Sequence, residues 1–236
     1  MAEGDLIGEG NGFKLLQYRL KPHMAVIAVT TAAGEAATIY PAVQHAIAMN
    51  LRLEAIRPDK GGYPEAELIC RHPLGAEIVF WDTHYATNSH RYKVGESYDF
   101  MIGGIGYKVE DDSDAPPVEI SNPEQVRRMR ALQGQDPELP GPITVSMKGM
   151  GSFVPCNPDD PEWKYPEYAV RGPVALMHLP GGDAGYGMFA VVVSGADDGN
   201  SLAISITCHA NHILSVPKEE FGEVFSLVWL QGYLAG

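Results

Sequence analysis

Two stretches of this chain constrain its folding more than any other feature. One is Gly95-Glu-Ser-Tyr-Asp-Phe-Met-Ile-Gly-Gly-Ile-Gly-Tyr107. The other is Gly222-Glu-Val-Phe-Ser-Leu-Val-Trp-Leu-Gln-Gly-Tyr-Leu234. Both start Gly-Glu, pass through an apolar run of strand character and reach Gly-Tyr. Upstream of them, Ala76–His84 has the character of Leu202–His209, which sets His84 opposite His209. Tyr40–Met49 lies opposite Tyr168–Leu176. The offsets are 128 for Tyr40 to Tyr168, 125 for His84 to His209 and 127 for Gly95 to Gly222. A near-constant spacing is the mark of an internal repeat. The expectation is two diverged copies of one β unit, each ending in its own closing strand.

The rest of the chain reads as short strands punctuated by turns. In the first copy they fall at Phe13–Leu20, Ala25–Thr30, Glu67–Arg71, Glu77–Trp81 and Ser97–Tyr107. In the second they fall at Ile143–Lys148, Tyr168–Leu179, Tyr186–Ser194, Ala203–Cys208 and Val224–Leu234. Residues 1–12 read as a loose start and 32–37 as a turn, with further turns at 180–183 and 196–200. Pro41–Leu53 carries both a helical period (Val43, Ile47, Leu51) and an alternating one. The matching stretch contains Gly172-Pro173, which a helix interior does not tolerate, so both are read as strands. Between the copies, Asp111–Pro117 is acidic and Pro-rich. Ser121-Asn-Pro-Glu124 is a capping-box pattern that opens a helix over 121–133, closed by Gly134.

The fold class is therefore mostly β, with a first β domain at 13–110, a linker with its helix at 111–140 and a second β domain at 141–236. Four or five strands per copy, with a looser segment before the closing strand, resemble the OB-fold, a five-stranded partly open barrel. An ordinary β-sandwich is the alternative.

Charge narrows the partners. The 236 residues carry 17 Lys and Arg against 30 Asp and Glu, formally −13. Such a field opposes non-specific contact with phosphate backbones and anionic membranes. No apolar run approaches the ~18 residues that a membrane span needs. Three widely spaced cysteines, Cys70, Cys156 and Cys208, suit reduced thiols better than a disulfide framework. With no charged-then-apolar leader at Met1–Leu6, the expected location is cytoplasmic.

Few residues suggest chemistry. Cys208, His209 and His212 offer zinc-type ligands in a short span, although adjacent Cys and His on a strand point to opposite faces. Asp82 and His84 share a strand face, as a carboxylate–imidazole pair requires, and His90 follows them. These six are the candidate metal ligands, with zinc as the candidate cofactor. Neither Gly103-Gly-Ile-Gly106 nor Gly8–Gly12 has the strand–loop–helix setting of a phosphate cradle. Trp81, Tyr85, Trp229 and Tyr233 are candidate binding aromatics, and Arg127, Arg128 and Arg130 form the one basic cluster.

Three functions fit these patterns. The first is a non-enzymatic binding or assembly module that engages protein, including other copies of itself. The second is a single-stranded nucleic-acid binder, resting on exposed aromatics and a basic groove that would gather Arg127, Arg128, Arg130, Arg171 and Lys148. The third is a metal-dependent hydrolase or isomerase. No nucleophile elbow or comparable catalytic motif is present, so the balance lies against an enzyme.

Overall fold

The computed structural model describes residues 4–156, 166–181, 185–194, 202–217 and 222–235. The chain is mostly β. It begins with a four-stranded antiparallel meander: β1 (Asp5–Gly10), β2 (Phe13–Lys21), β3 (Met24–Thr31) and β4 (Ala36–Val43). Of the loose start expected over residues 1–12, Asp5–Gly10 is strand, and residues 1–3 lie outside the described residues. Asn11 and Gly12, both at positive φ, make the two-residue turn that folds β1 onto β2,. The meander buries Leu15, Ile27, Val29, Tyr40 and Ala42 on one face, together with Ala86.

A nine-stranded sheet follows. Its first members are β5 (Ile47–Pro58), β6 (Ala66–Arg71), β7 (Glu77–Asp82) and β8 (Ser97–Asp111). On β5, Met49, Leu51 and Leu53 are buried and alternate with exposed Ala48, Asn50 and Arg52, the period-two pattern of a strand with one wet face,. Pro41–Leu53 is thus strand at both ends, broken at residues 44–46. Between β7 and β8 lie the one-turn α1 (Tyr85–Asn88) and a 3₁₀ turn at Ser89–Arg91.

The connection between the halves holds β9 (Val118–Ile120), α2 (Pro123–Leu132) and β10 (Ile143–Val145). β9 and β10 pair with each other. The N-cap of α2 is Asn122 rather than Ser121. Its side-chain oxygen accepts from the amides of Glu124 and Gln125, with Pro123 at the first helical position,.

The second half supplies β11 (Ser152–Pro155), β12 (Glu167–His178), β13 (Tyr186–Ser194), β14 (Leu202–His209) and β15 (Glu223–Leu234). The turn expected at 196–200, and half of that at 180–183, lie outside the described residues.

The pairings close two circuits of five strands. One runs β5, β6, β7, β15, β8 and back to β5. The other runs β12, β13, β14, β8, β15 and back to β12. In both, three antiparallel strands meet a parallel partner, β7 beside β15 and β14 beside β8. That partner is the closing strand of the opposite half. A single core cluster accordingly holds Phe80, Phe100 and Ile102 from one circuit with Phe189, Ile204 and Ile206 from the other.

The circuits agree pair by pair. Leu53 opposite Cys70 becomes Val174 opposite Val191, 121 residues on, and the bulge before Ala55 becomes the bulge before Leu176. Leu68 opposite Phe80 becomes Phe189 opposite Ile206. Asp82 opposite Gly232 becomes Cys208 opposite Gly106, both shifted by 126. The correspondence read from sequence needs three corrections, one being that Gly95 is a residue out of step with Gly222, because Ser97 (opposite Arg52) matches Glu223 (opposite Pro173). Tyr40 lies on β4, in the other sheet, and the counterpart of Tyr168 is Ile47. His84 is one residue out of step with His209, because Asp82 matches Cys208. From Val191 to its partner Ile204 the chain runs five residues further than from Cys70 to its partner Ile78, so the offset between the circuits rises from 121 to 126 across this hairpin.

Candidate functional site

The meander docks on the first circuit through buried polar contacts. Gln231 of β15 is 1% exposed, and its amide donates to Pro41 O (2.8 Å) and accepts from Val43 N (3.2 Å). The Tyr40 hydroxyl donates to Thr83 O (2.5 Å). Next to these contacts a cleft of about 350 Å³ opens between the sheets. Ile7, Ile27, Ala42 and Val43 form its apolar lining, and its polar groups are Gln17, Arg19, Gln44, His45, Thr83, His84 and Tyr233. Both His84 and Tyr233 were candidates from sequence, and their rings stack at 4.6 Å.

Asp82 lies behind this stack. It is 1% exposed, accepts from His84 N (2.9 Å) and from the Tyr92 hydroxyl (2.6 Å), and is not among the residues that line the cleft. Burial raises its carboxyl from the ordinary 3.8 to about 7, against the opposing pull of those two hydrogen bonds,. Burial lowers the His84 imidazole from 6.5 to about 4. Asp82 therefore holds the turn that carries His84, and it touches His84 through the backbone rather than through a catalytic carboxylate–imidazole bond.

The other proposed metal ligands are dispersed. His90 is exposed on the 3₁₀ turn. Cys208 is buried in the second circuit, and burial pushes its thiol up to about 12. His209 Nδ1 accepts from Asn211 N (3.2 Å), and its ring lies 6.2 Å from that of His212. Among the described residues, no three His, Cys, Asp or Glu side chains are grouped to hold a metal ion.

Comparison with protein-family models, curated proteins and solved structures finds no match.

The remaining aromatics and arginines hold mainly structural places. Trp81 and Trp229 are buried and meet edge to face at 6.2 Å. Tyr85 is partly buried and stacks on Tyr92 at 6.4 Å. Arg127 pairs with Glu138 at 3.2 Å, and Arg128 is exposed. Arg130 is buried on the helix face that carries Val126, four residues earlier, and donates to the carbonyls of Leu139 and Gly141,. The expected three-arginine polar face therefore reduces to two.

Sequence reading missed a trio of histidines. His23, at φ 79° in the β2–β3 turn, lies with its ring 4.5 Å from that of His45 and 4.9 Å from that of His178. Its buried Nδ1 has no hydrogen-bond partner, and burial and the two neighbouring imidazoles lower its pKa. His23 and His45 lie on connections and His178 at the end of β12, all remote in sequence, so no local spacing announces them.

Proposed function

We infer that this chain is a non-enzymatic binding and assembly module built from two OB-like units, and that its partner is protein. The OB-like reading rests on the circuits. Each has five strands, three of them in an antiparallel meander, with a short helical turn before the closing strand and one parallel pair. The matching pairings support descent of both from one duplicated unit.

One observation carries the binding role. The outer face of the meander bears an apolar row across all four strands. Leu6 pairs with Leu16, Leu16 with Ala28 and Ala28 with Ile39. Paired residues share a face, and this face is opposite the one that buries Leu15 and Ile27,. The ends of the row are open, Leu6 at 55% and Ile39 at 64%. β1 and β4 are also the edge strands of their sheet. An apolar face between open edges is suited to covering by another polypeptide. A second copy of this chain is the first partner to test, by light scattering of the wild type and of Ile39→Lys. Association that disappears in Ile39→Lys with an unchanged circular dichroism spectrum is expected. A monomeric wild type overturns self-assembly.

Single-stranded nucleic acid is the weaker reading. Of the basic groove it requires, Arg130 is occupied with backbone carbonyls, and Arg171 pairs with Asp112 at 2.8 Å and Glu223 at 3.2 Å.

A further inference from the structure

We propose that the cleft between the meander and the first circuit binds a small organic oxyanion, a carboxylate or phosphate ester carrying a short apolar body.

The composition of the cleft argues for this class. The chain carries 30 acidic residues against 17 basic, yet no Asp or Glu lines this cleft. Its polar groups are amides, hydroxyls, two imidazoles and the Arg19 guanidinium. Arg19 is 72% exposed, and its ion pair with Asp5 is loose, at 3.9 Å. An exposed pair at that distance holds the guanidinium weakly, which leaves its donors open to a bidentate oxyanion. Gln44 also lines the cleft, and its side-chain nitrogen is buried with no hydrogen-bond partner. A polar group left so is stabilised by a ligand that completes its bonding.

The apolar side sets the rest of the ligand. Ile7, Ile27, Ala42 and Val43 would receive a few methylene groups. A volume of about 350 Å³ is near the lower end of small-molecule sites,. The buried acid Asp82, which accepts from His84 N, retains its proton up to about pH 7, so it adds little repulsion below that pH.

The site and the assembly surface lie on opposite faces of the meander, so each can fail without the other. The test is calorimetric titration of the full chain at constant ionic strength with hexanoate, butyl phosphate and, as an uncharged control, hexanol. Saturable binding of at least one anion, with hexanol weaker, is expected. The preferred anion names the head group. Arg19→Gln, a substitution at an exposed side chain, should weaken that binding about tenfold, the loss of one charge-assisted contact. The proposal is overturned if neither anion saturates, if hexanol binds as well, or if Arg19→Gln binds as tightly as the wild type. A monomeric protein that still binds the anion removes the assembly reading alone.

Discussion

Asp82 and Cys208 occupy the same position in the two circuits, each opposite the glycine of a Gly-Tyr pair, Gly232 and Gly106. Both are almost fully buried, but only one is ionisable near neutral pH. The folded chain binds the Asp82 proton more tightly than the unfolded chain does. Its stabilising contribution is therefore complete below about pH 4 and is lost as pH rises to about 7,. Asp82→Asn should remove this dependence and be the more stable protein at pH 8, by roughly 1–3 kcal/mol. Urea denaturation at pH 5 and pH 8 measures it. Equal slopes with pH in variant and wild type would contradict the assignment.

His84 works in the opposite direction. Its folded pKa lies below the unfolded one, so its contribution is complete above 6.5 and is lost as pH falls toward 4,. His84→Gln should flatten the acid limb of the stability curve while leaving the limb above pH 7 unchanged. An acid limb as steep as that of the wild type would remove His84 as its source.

The two counterpart glycines should tolerate alanine unequally. A Cβ at Gly232 would lie 2.6 Å from Ile102 Cδ1 and 2.8 Å from Phe80 Cδ2. At Gly106 the nearest atoms are Ile206 Cγ2 at 3.0 Å and Cys208 Cβ at 3.1 Å. Gly232→Ala is expected to cost about 2–3 kcal/mol and Gly106→Ala about 1 kcal/mol. Ile102→Val, which removes the closest atom, should recover part of the Gly232→Ala loss in the double variant. Additive losses would place the strain elsewhere.

Tyr168 completes an edge that the sheet leaves open. Its hydroxyl accepts from Val79 N (2.8 Å) and donates to Val79 O (3.1 Å), at the stretch of β7 just before its two-residue ladder with β15. Tyr168→Phe should cost about 1–2 kcal/mol and speed hydrogen exchange at the Val79 amide. Unchanged exchange there would show that the hydroxyl does not protect this edge.

Arg171 joins the linker to the second half. It is mostly buried between Asp112 and Glu223, and Glu223 is itself buried. Arg171→Met leaves that carboxylate unpaired and should cost about 3 kcal/mol. Arg171→Met with Glu223→Gln should recover much of the loss. Thermal melts of the three variants test this.

What the sequence reveals and what it hides follow from the range of the interactions. Alternation on β5, with Met49, Leu51 and Leu53 buried, is local, and so is the helix that begins after Asn122. The Gly-Tyr ends at Gly106-Tyr107 and Gly232-Tyr233 are likewise in register. β1 was obscured because its polar, Gly-rich composition matches a loose terminus, and its apolar residues become informative only beside β2. The exchange of closing strands depends on parallel pairs between residues far apart, such as Trp81 and Gln231, for which no local pattern exists. The cleft brings together Arg19 of β2 with Gln44 and His84 from two separate connections, and only His84 drew attention beforehand.

Because β7 closes on β15 and β14 on β8, each half is completed by a strand that the other half makes. Residues 112–142 tether these two interlocked halves. Cleaving that tether would turn an intramolecular fold into a concentration-dependent complex of two fragments. A single half on its own could satisfy its parallel edge only by pairing with a second half.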